Sequence, residues 1–292
     1  MGDTSWVEVV RPKAQAVLPL LCDSPHSGTH YPADFGHVLP MNRLRGGEDT
    51  HVETLWSHAS EVGATLIAAR FPRTYIDPNR SLDDLDVSML ADEWPGPVAP
   101  SKKTSLGIGL IWRQVGGDAP IYARQLSAAE VQRRIECCWL PYRQALLQAR
   151  ETALRAFGRC WHLNLHSMPS NAYERLGIRS ETPLADVVLG DLHGRSCSDD
   201  FRNVVQAALS ARGFRVAVND PYPGQEIVRL MGAPDRQLHS LQVELNRALY
   251  MDEATRRPNA RFDEVRSALG AALEDVARYV RAQARGADYG FS

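Results

Sequence analysis

The stretch Trp161-His-Leu-Asn-Leu-His166-Ser-Met168 decides the fold class. Polar and apolar side chains alternate along it, so a β-strand over 161–165 sets His162, Asn164 and His166 on one face and the leucines on the other. Gln242-Val-Glu244-Leu-Asn246-Arg247 repeats the pattern at the end of a second strand over 240–245. Outward from these two, short apolar runs predict further strands over 17–21, 64–69, 74–76, 186–189 and 214–218. Helical spacing intervenes at 51–62, where Val52, Leu55, Ala59 and Val62 share a face, and again at 198–212 and 262–284. Ser127 and Glu130 form a capping-box pair that starts a helix carrying Val131 and Ile135 inward, and Pro141 divides it from a second helix. Strands alternating with helices predict an α/β layered fold, read here as one domain over 1–292. Residues 81–125 are rich in Pro, Gly and Asp without steady periodicity, and so predict a long surface excursion of the kind that commonly carries function.

Composition narrows the functional classes. The chain has 292 residues, 44% hydrophobic and 23% charged, which is globular in character. It has no run near the roughly 18 apolar residues of a membrane span. Its 33 basic and 35 acidic groups leave a net charge of −2, giving no general electrostatic claim on nucleic acid or on an acidic membrane. Asp3 and Glu8 interrupt the N-terminal stretch before any signal-like apolar block, so the expected location is the cytoplasm. Five cysteines without a C-x-x-C spacing suggest reduced thiols rather than a disulfide framework. Arginine outnumbers lysine 30 to 3. Most arginines, Arg133, Arg134, Arg256, Arg257 and Arg281 among them, are expected on helix surfaces or loops.

In α/β sheets, ligands bind beyond the carboxyl ends of strands. Four such junctions carry polar residues: Asp23-Ser-Pro-His26-Ser-Gly28, Asp77-Pro-Asn79-Arg80, the His162–His166 stretch and the Gln242–Arg247 stretch. A hydrolytic zinc site needs three protein ligands, an open position for water and a nearby base that is not a ligand. His26, Asp49 and His166 are assigned to the metal and Glu244 to the base. Arg73 and Arg80 lie where a fixed cation could stabilise an oxyanion. Plainer roles compete: Glu244 as a buried carboxylate paired with Arg247, and Asp49 as an acid at a helix N-terminus. The remaining histidines are read as surface or structural groups, with His51 and His193 the first exceptions to consider.

The segments DSPHSGTHYP (23–32), GEDTHVETLW (47–56), FPRTYIDPNR (71–80), PIYARQLS (120–127), HLNLHSMPS (162–170), NDPYPGQEIVR (219–229) and LQVELNRALYMDE (241–253) together resemble the N-formylglutamate amidohydrolases, also called N-formylglutamate deformylases. The resemblance implies a relationship to the zinc carboxypeptidases and aspartoacylase. The implied fold is three-layer αβα with a mixed central sheet, zinc-carboxypeptidase-like (phosphorylase/hydrolase-like). It implies Zn2+, or another divalent metal, and hydrolysis of N-formyl-L-glutamate to glutamate and formate, the closing step of one histidine-degradation route. The partner is then a small N-formyl amino acid bearing carboxylates. A deformylase or deacylase for another N-acyl amino acid, or a small carboxypeptidase, is the alternative on the same scaffold.

His26 and His166 match the family's metal histidines. The carboxypeptidase relatives place the acidic ligand three residues after the first histidine, where this chain has Thr29, so the acid comes from elsewhere: Asp49, with Glu48 and Asp23 as rivals. Arg73 resembles the carbonyl-polarising arginine, and Asn79 with Arg80 the pair that holds a substrate carboxylate. The division of roles between the two arginines stays open. Glu244 resembles the catalytic glutamate, and Arg229, in a loop like the substrate loop, a second carboxylate clamp.

Overall fold

The structure is a computed structural model that describes residues 5–13, 17–117 and 119–285. The chain forms two compact units interleaved along the sequence. Unit 1 comprises the described parts of Met1–Glu8 with Pro25–Thr50 and Ala68–Leu146, and unit 2 the described parts of Val9–Ser24, His51–Ile67 and Leu147–Ser292. The strands are β1 (Val7–Val10), β2 (Leu20–Ser24), β3 (Thr65–Ala69), β4 (Gln114–Val115), β5 (Ala119–Pro120), β6 (Cys160–Met168), β7 (Val187–Gly190), β8 (Val216–Val218) and β9 (Leu238–Asn246).

A seven-stranded sheet has the order β1-β3-β2-β6-β9-β7-β8. In unit 2, β6 runs parallel to β2 and to β9, while β7 is antiparallel to β9 and parallel to β8. The sheet is therefore mixed, as expected. Register places Asp23 beside Asn164, Asn164 beside Gln242 and His166 beside Glu244. Because side chains alternate, Leu163, Leu165, Leu241, Val243 and Leu245 all fall on the opposite face. There they join one core with helices α2 (Val52–Leu55), α7 (Asp199–Ser210) and α9 (Phe262–Arg285), through residues such as Leu55, Phe201 and Leu269. Each fully buried leucine in that layer contributes about 1.5–3 kcal/mol. Spending apolar residues on one face leaves the other to carry Asp23, His162, Asn164, His166, Ser240, Gln242 and Glu244, every one of them buried. Among the described residues, no helix is long and apolar enough to cross a membrane.

Proline chemistry accounts for most departures from the sequence expectations. The strand expected over 17–21 is β2, which begins at Leu20 rather than Val17 because Pro19 has no N–H to give. Its carbonyl still accepts from Trp161 N at 2.8 Å. The strand then runs on to Ser24, which brings Asp23 into the sheet. No strand forms at 74–76: Pro72 and Pro78 flank it, and Tyr75 N closes a turn onto Pro72 O at 3.0 Å. The 51–62 helix shortens to α2 followed by a 3-10 turn over Ser57–Ser60, yet Val52, Leu55, Ala59 and Val62 are all buried as expected.

In unit 1, the Ser127–Glu130 capping box is present at the start of α4 (Ala128–Arg134). The helix passes through a π turn, Ile135–Trp139, into α5 (Leu140–Phe157). Pro141 cannot donate to the preceding turn, and the wider π turn absorbs that missing bond. Among the described residues of 81–125 only short elements form: a 3-10 turn at Val87–Met89, α3 (Lys102–Ser105) and the paired strands β4 and β5. Asp84 ties the segment down by accepting from Ser101 N at 2.7 Å, from Ser101 Oγ at 3.0 Å and from Thr104 Oγ1. Arg134 corrects the surface expectation. It is buried, with its guanidinium over the rings of Phe35, Tyr75 and Tyr122 and Nη1 donating to Tyr75 O and Tyr122 Oη.

Candidate active site

In unit 1, the loop that follows β2 carries His26. Gly28 lies so close to the Arg70 and Phe71 backbone that any β-carbon would collide with it, and His30 N donates to Arg70 O at 2.9 Å. The loop is thereby fixed, and Asp49 N donates to His26 O at 2.9 Å, bringing the 47–50 segment alongside. His26 stands between two carboxylates. Its Nε2 is 2.7 Å from Asp77 Oδ1 and its Nδ1 is 3.4 Å from Asp49 Oδ2, all three residues being buried.

Asp77 holds the arrangement together. Burial alone would raise its pKa, but Arg73, His26 and Arg80 together keep it well below the usual carboxylate range. Its Oδ2 accepts from Arg73 Nε (3.2 Å) and Nη2 (2.8 Å) and from Trp112 Nε1 (3.3 Å), while Oδ1 accepts from Asn79 N (2.9 Å). An ionised Asp77 accepts only, so His26 Nε2 carries the proton that is shared with it. Nδ1 faces the Asp49 carboxylate, an approach that either a second ring proton or a cation bound between the two would satisfy. Two ligands bound at about 2.0–2.2 Å in a tetrahedral shell lie about 3.4 Å apart, which is the separation found here. The donors fit a divalent metal.

The rival acids are engaged elsewhere. Glu48 accepts from Arg45 Nε and Nη2, from Tyr31 Oη at 2.7 Å and from Thr50 Oγ1 at 3.0 Å. Burial first, then the Glu48 charge, pushes the Tyr31 phenol up, keeping it a donor. Asp23 faces β6 within unit 2, accepting from His162 and Asn164. Arg73 stacks on Trp112, 4.8 Å from the ring centroid. Arg80 is buried, donating from Nε to Ile108 O and from Nη1 to Asn79 O.

In unit 2, His166 Nε2 lies 2.8 Å from Asn164 Oδ1. Glu244, on the adjacent strand, accepts from Gln242 Nε2 at 3.0 Å. Arg247 donates from Nε to Ser167 Oγ at 3.1 Å and from Nη2 to Ser167 O at 3.3 Å. Arg229 differs from these in its exposure. It lies on α8 (Glu226–Met231) with its side chain 68% exposed, and both Nε and Nη2 donate to Glu226. His51 is structural, contacting Arg256 O through Nε2 and Phe262 edge-on, and His193 is exposed. Of the residues expected to hold a metal, His26 and Asp49 are buried side by side in unit 1, and His166 is buried in unit 2.

Sequence reasoning missed Trp112 and the Tyr31–Arg45 clamp on Glu48. Trp112 sits in the aperiodic excursion, where nothing marks it. Asp77 was visible as part of Asp77-Pro-Asn79-Arg80 but without a role, although a carboxylate two residues before an Asn-Arg pair at a loop start was the available signal.

The sequence profile of the N-formylglutamate amidohydrolase family matches residues 18–251. N-formylglutamate deformylases of Pseudomonas aeruginosa and Pseudomonas putida are each 28% identical, over 81% and 82% of this chain and 83% and 84% of theirs. A crystal structure of N-formylglutamate amidohydrolase from Ralstonia eutropha JMP134 is 51% identical, with a TM-score of 0.93 over 95% of this chain and 99% of that one. A gene product of Agrobacterium tumefaciens shares the fold at 16% identity and a TM-score of 0.65. With four-fifths of its length matched by the profile and half its residues shared with a solved member, the chain belongs to the N-formylglutamate amidohydrolase family.

Proposed function

We propose that this chain is a metal-dependent amidohydrolase that converts N-formyl-L-glutamate and water to L-glutamate and formate. The observation that carries the metal is the 3.4 Å approach of His26 Nδ1 to Asp49 Oδ2, with Nε2 already committed to Asp77. The names of its relatives carry the substrate. His26, Asp49 and His166 would hold the ion, read as zinc. A divalent cation there would polarise the formyl carbonyl and acidify a water.

The chain's own groups do the rest. Glu244 accepts the proton of the attacking water and returns it to the leaving amine. Gln242 holds one Glu244 oxygen from the side, which fixes the carboxylate's orientation. Arg73, fixed by Asp77 and Trp112, presents positive charge to the developing oxyanion at no further ordering cost. Asn79 and Arg80 hold one substrate carboxylate, and Arg229 the other after exchanging Glu226 for it. The reaction suits a cytoplasmic step of histidine breakdown, and the free cysteines are compatible with that compartment.

A rate comparison of N-formylglutamate with N-formylaspartate, N-acetylglutamate and N-formylmethionine tests the substrate. The highest kcat/KM should fall to N-formylglutamate. A clear preference for any of the others would move the assignment to that acyl amino acid.

A further inference from the structure

The proposed ligand set uses one residue of the polar face of β6 and leaves four buried neighbours without a role. Asp23 Oδ1 lies 2.7 Å from Asn164 Nδ2 and 2.8 Å from His162 Nε2. His162 Nδ1 lies 2.8 Å from Ser240 Oγ, and Asn164 Oδ1 lies 2.8 Å from His166 Nε2. These side chains come from three adjacent parallel strands, all at 2% exposure or less.

Hydrogen-bond polarity along the chain is forced. Asp23 Oδ1, set between two nitrogens, accepts from both, so Asn164 must turn its NH2 toward Asp23. The reverse orientation would press two acceptors together. Asn164 is left with only its carbonyl oxygen for His166, and a carbonyl only accepts. His166 Nε2 therefore carries hydrogen, which makes Nδ1 the ligating nitrogen in the set proposed above. His26 reaches the same state by a different partner, Asp77.

We propose that Asp23 and Asn164 are positioning residues that fix the tautomer and ring orientation of His166 as a metal ligand, with His162 and Ser240 bracing Asp23 from the far side. The inference rests on the ligand set proposed above. Histidine ligands depend on an acceptor at the second nitrogen, and here that acceptor is an amide polarised by a buried carboxylate. A network serving packing alone would support the fold equally well without favouring either His166 tautomer.

The test uses the zinc-loaded full chain. Zinc affinity is read by competition with a chromophoric chelator, and the state of the His166 ring by 15N shifts in histidine-labelled protein. Asn164→Ala should weaken zinc binding about 10- to 100-fold and blur the single Nε2–H pattern of His166. Ser240→Ala, one step further from Asp23, should weaken zinc binding in the same direction but less than Asn164→Ala does. If Asn164→Ala does not fold, Asp23→Asn, which keeps the shape and removes the charge, should give a smaller loss of affinity in the same direction. Wild-type affinity with an unchanged ring pattern in either foldable variant would overturn the proposal. His166→Ala separates this from the underlying reading. If it binds zinc as tightly as wild type, the ligand set itself is wrong and the inference falls with it. If it loses zinc while the Asn164 and Asp23 variants do not, the inference alone fails.

Discussion

His26 Nε2 and Asp77 Oδ1 are 2.7 Å apart in a fully buried pair, and the same aspartate holds Arg73 through its other oxygen. One carboxylate thus orients a proposed metal ligand and a proposed oxyanion-stabilising cation together. Asp77→Asn should weaken zinc binding about 10- to 100-fold, since the amide cannot accept from both groups as strongly. Asp77→Ala should also cost about 3–5 kcal/mol of stability, because Arg73 then loses its buried counter-charge and His26 its hydrogen-bond acceptor. Chelator competition and thermal melts read the two effects separately. Tight zinc binding by Asp77→Asn would detach Asp77 from the metal.

Glu244→Gln keeps the size of the side chain and removes its basicity. kcat should fall about 10²- to 10⁴-fold with zinc content unchanged. Near-normal turnover in a zinc-replete Glu244→Gln enzyme would remove Glu244 from proton transfer.

The arginine excess divides by environment. Arg80→Lys should raise KM for N-formylglutamate strongly, because lysine cannot reproduce the bonds to Ile108 O and Asn79 O while facing a carboxylate. Arg229→Lys should raise KM to a lesser degree, its guanidinium being exposed and shared with Glu226. Arg257→Lys, on an exposed turn, should change neither constant. Steady-state kinetics on the three variants rank them, and an Arg229→Lys enzyme with wild-type KM would exclude that clamp.

Acid sensitivity should report a separate pair in unit 2. Burial alone would raise the Asp191 pKa, but hydrogen bonds from Arg202, Asn219 and Gly194 N–H hold it below the ordinary value. A depressed folded-state pKa contributes stability that is fully present above the unfolded value, about 3.9, and is lost as pH falls through the folded value. Arg202→Met should therefore cost about 1.5–3 kcal/mol at neutral pH. Urea melts from pH 7 down to the acid limit of folding should show that gap closing below about pH 4. A gap independent of pH would assign the loss to packing rather than charge.

Much of the fold was legible because its periodicities are clean. Alternation along Trp161–Met168 and Leu241–Asn246 identified the two central strands and the face that carries His166 and Glu244. The apolar stripe of α9 gave its extent to within a residue or two. Local backbone chemistry limited the rest: Pro19 displaced β2, and Pro72 with Pro78 turned an apparent strand into a turn. Arg134 looked like a surface residue because sequence spacing does not reveal the aromatic cage that Phe35, Tyr75 and Tyr122 build around it. In the site, individual residue types pointed to the chemistry, but the partners that commit them did not announce themselves. Trp112 under Arg73 and Arg45 on Glu48 are contacts between segments with no shared period.

The central claim is that a metal bound by His26, Asp49 and His166 is required for release of formate from N-formylglutamate. The most direct measurement strips the protein with chelator, returns zinc in measured fractions and follows formate and glutamate release against metal content. Activity should be absent in the stripped protein, rise in proportion to zinc and saturate near one ion per chain. Full turnover by metal-free protein, or no glutamate release at any zinc occupancy, would contradict the account.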